Sequence, residues 1–591
     1  MLIINHEIEK PVDLALIERL FGENKGVEEI LPLKPRLFTG TGFQQLGILI
    51  QDALDGIINP GIYVSSIDCG LGKSLLVQRK LSQWKDGGFP GSESFLVCLA
   101  NFDEVDSYIA GIGLAKADYA VVSANEDYNR YGLGVGRAKK ARILFISHEQ
   151  FYCRVREKDC FDAVDSFFYN DKPRSCIIWD EAFHWSRPVS FPVDALAALP
   201  DALVGCGVNV IEPLRALIRD STKLVTGDSM MIPADIRGVI GKALRMRPNL
   251  GQRHKGVLEG LMKLAGSRAF FKCYRGEWSV VGAGLPLPND LPPMIVLDAS
   301  ARLTDRYTRM KGQGATVHIL SPVTSHYANL TFRWIDKGAG KQTLQNADNR
   351  HECWTIVADL MNEKPGEEWL LGCDKSLFEG KDPSKGPPDE LAVMLTDAEN
   401  VSVVTWGRHF GSNEYRHIRN VVVMGAWDYK APAYDAIELA KGGPLEGDEW
   451  GDTEARDMEF AGNLFQMVCR SNVRNHVDGV CGEATVYLIM PASDKRRALI
   501  ERAFPGFRIE TYLPPSIPPR TKAHKIIAAF EKLFRSMNAV AIADLRREIE
   551  GSEEKSYFSK PLKSDEVSRY LTANGIRRKK NKFVKRSMAA R

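Results

Sequence analysis

Cys69-Gly70-Leu71-Gly72-Lys73-Ser74 follows the apolar run Gly61-Ile62-Tyr63-Val64-Ser65-Ser66-Ile67 and precedes Leu75-Leu76-Val77-Gln78-Arg79-Lys80-Leu81. That order predicts a strand, a glycine turn and a helix. Such a junction aims backbone N–H groups and a helix N-terminus at an anion, with a lysine and a hydroxyl beside them, which suits a triphosphate carrying Mg2+. Gly70, Leu71, Gly72, Lys73, Ser74 and Leu75 are therefore the candidate contacts to ATP, with Ser74 also a candidate metal ligand. Ile67 stands where the full glycine-loop pattern has its first glycine, so a capped helix start is the alternative.

A second stretch, Cys176-Ile177-Ile178-Trp179-Asp180-Glu181-Ala182-Phe183-His184, is an apolar run that ends in two adjacent carboxylates. In a nucleoside triphosphatase the first acid holds Mg2+ through water and the second polarises the attacking water. Asp180 and Glu181 are the candidates for those two roles. A solvated acidic loop is the alternative for this segment taken alone.

The chain has 591 residues and a formal net charge of +3, so it has room for several domains, and any nucleic-acid face must come from local clustering. Its 11 cysteines form no Cys-x-x-Cys pair and no zinc spacing, which fits free thiols in a reducing cytoplasm. No apolar run approaches about 18 residues, and the start Met1-Leu2-Ile3-Ile4-Asn5-His6-Glu7 lacks an export pattern, so a membrane partner is not expected.

Short apolar runs at 95–99, 119–122, 143–146, 177–179, 223–226 and 294–297 alternate with helix-length segments. A second such block has runs at 317–320, 368–371, 401–404, 421–424 and 485–489. Both predict α/β lobes with parallel sheets, and a ligand in the cleft between them. The expected organisation is an N-terminal segment (1–58), a first lobe (59–312) with a helical insertion at about 186–290, a second lobe (313–495), a proline-rich linker (496–520) and a basic module (521–591). In the last, three helix-like stretches precede Gly575-Ile576-Arg577-Arg578-Lys579-Lys580-Asn581-Lys582, a winged-helix-like pattern whose wing would contact phosphates through Arg577, Arg578, Lys579 and Lys580. A small helical bundle with a basic tail is the alternative.

In this order the segments resemble a superfamily-2 DEAD/DEAH-type helicase over about residues 40 to 495. Cys69 to Ser74 is similar to the family's Thr-Gly-x-Gly-Lys-Thr loop, and Asp180-Glu181-Ala182-Phe183 to its Asp-Glu-x-x box. Ile146-Ser147-His148 resembles a strand-binding motif, and Asp298-Ala299-Ser300-Ala301 the Ser-Ala-Thr motif. Gly411-Ser412-Asn413-Glu414-Tyr415-Arg416 resembles the fifth motif, and Gln466-Met467-Val468-Cys469-Arg470-Ser471-Asn472-Val473-Arg474 the sixth. The resemblance implies two tandem RecA-like lobes and hydrolysis of ATP with Mg2+. Its arginine finger would be Arg470 or Arg474, near Gln466, and its strand contacts would be His148, Ser300 and Arg416. The family pattern spaces its arginines three apart, whereas four separate them here, which a continuous helix would bring to one face. Gln44, after Thr39-Gly40-Thr41-Gly42-Phe43, would read adenine in the manner of the family's upstream glutamine, with a capped helix start as the alternative.

The expected activity is a DNA helicase or translocase. The alternatives are a DNA-binding assembly or regulatory factor that uses the core as a nucleotide switch, and an RNA helicase. DNA is the favoured partner because of the terminal module, since a backbone-tracking channel carries no base code.

Overall fold

The computed structural model describes residues 41–155, 158, 160–406, 414–443, 452–514, 522–549 and 561–585. The expected N-terminal segment up to residue 40, Gly411-Ser412-Asn413, and Pro515, Pro518 and Pro519 of the linker lie outside the described residues.

The first sheet is built from β1 (Ile62–Ser65), β2 (Phe95–Leu99), β3 (Tyr119–Val122), β4 (Ile143–Ser147) and β5 (Cys176–Asp180). An excursion of more than a hundred residues contributes β6 (Pro188–Pro192), β7 (Ser229–Met231), β8 (Arg268–Tyr274) and β9 (Glu277–Ala283), after which β10 (Met294–Leu297) and β11 (Val317–Ile319) return to the first sheet. Its order is β11-β1-β10-β5-β2-β4-β3, with every pairing parallel. The inner strands are apolar throughout because helices cover both faces, and the two faces carry separate cores. This arrangement brings β1 and β5 to either side of β10, so the loop after β1 and the acids ending β5 emerge at one edge.

The second lobe contains β12 (Leu330–Ile335), β13 (Trp369–Cys373), β14 (Val401–Thr405), β15 (Asn420–Met424), β16 (Ala484–Ile489) and β17 (Arg508–Thr511). Their order is β14-β13-β15-β16-β12-β17, again all parallel. The two RecA-like lobes meet along an apolar seam, where Ala299 and Leu303 of the first lobe join the core beneath the second.

Three expected boundaries shift. The 317–320 run, assigned to the second lobe, pairs with β1 as an edge of the first sheet. The linker expected from 496 contains the helix Asp494–Ala503 and β17, which completes the second sheet. The helix Gly42–Leu54 packs its apolar face on the first lobe's core and so belongs to that lobe. The two strands, short and half-polar, are held by their neighbours more than by their own periodicity.

The insertion is also more than helical. Its helices Val208–Ser221, Ile236–Met246 and Gln252–Leu264 share a core with a four-stranded antiparallel sheet ordered β6-β9-β8-β7. Arg275 and Gly276, both at positive φ (49° and 89°), turn β8 into β9 as a tight hairpin. The 223–226 run, expected as a strand, is a turn before β7. The insertion reaches the other lobe: Phe270 and Val281 pack on Ala436 and Leu439 of the helix Ala431–Ala440. There the buried Asp435 carboxylate accepts from Lys272 Nζ at 2.8 Å and from the Tyr274 hydroxyl.

The terminal module has the expected helices at Lys522–Ser536, Ile542–Glu548 and Asp565–Ala573. Its strands β18 (Ala539–Ala541), β19 (Ile576–Lys579) and β20 (Lys582–Lys585) form an antiparallel sheet ordered β18-β20-β19. Phe530, Val540, Val567, Ile576 and Phe583 fill its core, which makes it a winged helix with β19 and β20 as the wing.

Candidate functional site

The loop after β1 is possible because Gly70 and Gly72 adopt φ of +81° and +97°, a region that costs a side chain about 1 kcal/mol or more. Gly72 caps the helix Lys73–Asp86, and the place a Cβ would occupy there is open, so the helix N-terminus faces free space. Lys73 Nζ lies folded onto the loop, donating to the carbonyl oxygens of Ile67 (2.6 Å) and Asp68 (3.3 Å). The Ser74 hydroxyl donates to Asp180 Oδ2 at 3.2 Å, joined there by the Tyr108 hydroxyl at 3.0 Å. A hydroxyl and a carboxylate side by side are hard oxygen donors of the kind Mg2+ takes, so the residues present fit a magnesium-bound triphosphate.

The second lobe completes the site. Glu181 follows β5 at φ +80°, an uncommon conformation for a side-chain-bearing residue, and engages lobe 2. Gln466 Nε2 donates to Glu181 Oε2 at 2.9 Å, and Arg470 Nη2 to Glu181 Oε1 at 3.4 Å and to Gln466 Oε1 at 3.2 Å. Arg470, Arg474, Lys73, Ser74, Asp180 and Glu181 line one cavity of about 790 Å3, within the usual size range of ligand pockets. The two arginines do not share a helix as expected. The helix Asp452–Val468 ends before Arg470, and the Ser471 hydroxyl accepts from Val473 N to start a separate turn, Asn472–Arg474. This break brings both guanidinium groups to the cavity despite their four-residue spacing.

Burial raises the proton affinity of the acids. It lifts Glu181 to about 7, with Arg470 opposing and Asp180 adding to the rise, and it raises Asp180 against the pull of Lys73. Glu104, on the helix Asp103–Ile112, is pushed up to about 9 by burial and then by the charges of Asp180 and Glu181. Its Oε2 is enclosed without a hydrogen-bond partner.

Several candidates stand elsewhere than expected. The Leu71 side chain packs on the first lobe's core and not on the cleft, while Leu75 lines the cleft. Gln44 forms a capping box with Thr41, its Oε1 accepting from Thr41 N at 2.8 Å, and it does not line the cleft cavity, which matches the alternative of a capped helix start. His148 stacks on Trp179 at 4.0 Å with Nε2 enclosed, and burial holds its imidazole down at about 3. It is thus a packing group behind Asp180, in place of the expected strand contact. Ser300 donates its hydroxyl to Asp298 Oδ1 at 2.6 Å, closing its own turn, while Tyr307 ties Asp298 Oδ2 to the Phe183 amide. Arg416 is exposed and lines the same cavity. Arg577, Arg578, Lys579 and Lys580 are all exposed on the wing.

The main residues missed by sequence reasoning are Asp68 and Arg302. Fully buried Asp68 accepts from Arg302 Nε (2.9 Å), Ser325 N (2.9 Å) and the Tyr327 hydroxyl (2.8 Å). Arg302 also donates to the carbonyls of Arg502 (2.8 Å) and Ala503 (2.7 Å) in lobe 2. Asp68 thereby joins the glycine loop to the other lobe. Glu104 and Tyr108 were also missed, although their four-residue spacing on one helix is a signal that a structure-free reading could have used.

Taken together, fold and site define a two-lobed α/β protein with a glycine loop and paired acids facing arginines across a seam. No protein-family model matches the chain, and no curated protein matches it. Among solved structures it is similar to XPD in its apo form, at 10% identity over 79% of this chain and 99% of that one, with a TM-score of 0.45. It is also similar to S. tokodaii Xpd4, at 12% identity over 79% and 99% with a TM-score of 0.41. A third is S. cerevisiae Dbp5 bound to RNA and ADP BeF3, at 10% identity over 81% and 94% with a TM-score of 0.35. The two-lobed architecture rests on the strand orders themselves.

Proposed function

We propose that the chain is an ATP-driven motor on nucleic acid, and specifically a DNA helicase or translocase. The observation that carries this reading is the seam, where Gln466 and Arg470 of one lobe bond Glu181 of the other beside Lys73, Ser74 and Asp180. Lys73 and the loop amides would hold the phosphates, and Ser74 and Asp180 would hold Mg2+. The metal, when bound, supplies charge neutralisation at the phosphate oxygens. Glu181 would orient the attacking water, and Arg470 or Arg474 would balance charge developing on the γ-phosphate. Because those groups come from both lobes, hydrolysis would be linked to lobe closure, and the exposed cations of the wing favour a duplex DNA partner.

The test is ATP hydrolysis measured without nucleic acid and with single-stranded DNA, duplex DNA or RNA. The reading predicts stimulation, greatest with DNA, and its loss in Lys73→Ala. If the stimulated rate survives Lys73→Ala, the assignment of the site fails. Stimulation by RNA alone would select an RNA helicase. A second reading is a nucleotide switch with little turnover, in which Glu181 stays engaged by lobe 2 and Lys73 by its own loop. Duplex binding with no stimulated hydrolysis and no strand separation would select that switch.

A further inference from the structure

The cleft contains two thiols that hydrolysis does not use. Cys69 opens the glycine loop of lobe 1, Cys469 follows the helix Asp452–Val468 of lobe 2, and both line the same cavity. Each sulfur perturbs the other across the seam, lowering the Cys69 thiol and raising the Cys469 thiol. Cys69 Sγ lies 3.9 Å from Gln466 Oε1 and packs against the apolar cluster that contains Cys469. The backbones also touch here, since a Cβ on Gly70 would sit 2.0 Å from the Arg474 carbonyl oxygen. The two cysteines therefore belong to different lobes and sit beside one cavity where those lobes are in contact.

We propose that Cys69 and Cys469 form an oxidation site, at which a peroxide converts the pair into a disulfide that staples the lobes over the glycine loop. The surroundings favour Cys69 as the attacking sulfur. The neighbouring Cys469 sulfur, followed by the charges of Lys73, Arg470 and Arg474, draws its thiol down to about 6 in spite of burial. Thiolates next to cations and open to solvent are the reactive ones. Cys69 is partly exposed, whereas Cys469 is buried.

In the first step the Cys69 thiolate attacks one peroxide oxygen, and the O–O bond breaks. Sulfur loses two electrons to become a sulfenic acid, and hydroxide leaves. The Cys469 sulfur then attacks the sulfenic sulfur and forms the S–S bond, while the sulfenic oxygen departs with the thiol proton as water. The hydroxide from the first step takes up a proton from solvent, so one peroxide becomes two waters. A thiol reductant reverses the bond.

The test uses the full chain, treated with hydrogen peroxide, blocked with N-ethylmaleimide, digested without reductant and mapped by mass spectrometry. The expected result is one peptide pair joined through Cys69 and Cys469, absent after dithiothreitol. In Cys469→Ser the join is lost, and a dimedone adduct appears on Cys69. If Cys69 and Cys469 both carry N-ethylmaleimide after peroxide, while the more exposed Cys160 is oxidised, the inference is overturned. Oxidation of Cys69 that goes no further than sulfenic acid in the unaltered chain overturns it equally. Because the bond is read without nucleotide, its absence counts against this inference alone. Absence of hydrolysis in the reduced chain counts against the proposed function alone.

Discussion

Substituting Asp68→Asn removes the charge from a carboxylate that is fully buried and accepts four hydrogen bonds, two of them from Arg302, including Nη2 at 3.3 Å. One acceptor oxygen becomes an NH2 group facing other donors, and the guanidinium, itself 12% exposed, loses its counter-charge. Breaking a buried pair from one side costs about 3–5 kcal/mol, against about 0–1 kcal/mol for an exposed pair. Arg302 keeps its bonds to the Arg502 and Ala503 carbonyls, so the lower end, about 3 kcal/mol, is the expected loss. The chain has several domains, and a single unfolding midpoint would mix their transitions. A local readout is available in the Ser325 amide, which donates directly to Asp68. If opening of this network governs its exchange, a loss of about 3 kcal/mol accelerates hydrogen exchange there roughly 150-fold. A double-mutant cycle with Arg302→Met should give a coupling of about 2 kcal/mol. A coupling below about 0.5 kcal/mol, or an unchanged Ser325 exchange rate, would refute the claim that this pair ties the glycine loop to lobe 2.

Other outcomes follow from the same geometry. Gly70→Ala places a Cβ against the Arg474 carbonyl and strains a φ of +81°, so the lobes should separate, read as a longer distance between dyes on the two lobes; an unchanged distance would show that the loop yields instead. Asp435→Ala leaves Lys272 and the Tyr274 hydroxyl without their shared acceptor, and the insertion should become more open to limited proteolysis near the β8–β9 hairpin, with unaltered cleavage as the contrary result. Alanine at Arg577, Arg578, Lys579 and Lys580 should reduce the salt slope of duplex binding by up to about 0.9 per lost phosphate contact, and an identical slope would remove the wing from the interface. Glu531, pushed up to about 7 chiefly by burial and also by Glu510, with Arg535 and Arg333 opposing, binds its proton more tightly folded than unfolded. Its stabilisation is complete below its ordinary value of 4.5 and is lost as pH rises to about 7, by about 2 kcal/mol once solvent screening is allowed for. Glu531→Gln should therefore raise the thermal stability of the terminal module at pH 8 and not at pH 4, and equal pH dependence in both proteins would contradict this.

The parts legible in the sequence are those whose physics is local. A strand buried on both faces must be apolar along its length, so β2, β3, β4, β5, β13 and β15 announce themselves as continuous runs. A glycine loop must precede its helix, so Gly70 to Ser74 can be read directly, as can a carboxylate pair that ends a strand. What sequence order conceals is the seam. Asp68 and Arg302 are 234 positions apart, and an isolated aspartate beside a glycine turn carries no mark of a partner in another segment. His148 fails in a complementary way, because a motif fixes residue type and approximate strand end but not the direction of the side chain. The turn after Val468 is the clearest case: a helix would have explained the Arg470 and Arg474 spacing, yet the chain breaks there, and the break itself delivers both arginines to the cavity. Cross-lobe contacts have no sequence period, since they are made by residues drawn from separate segments of both lobes. The residues that would couple nucleotide to movement are consequently the ones for which geometry supplies what pattern cannot.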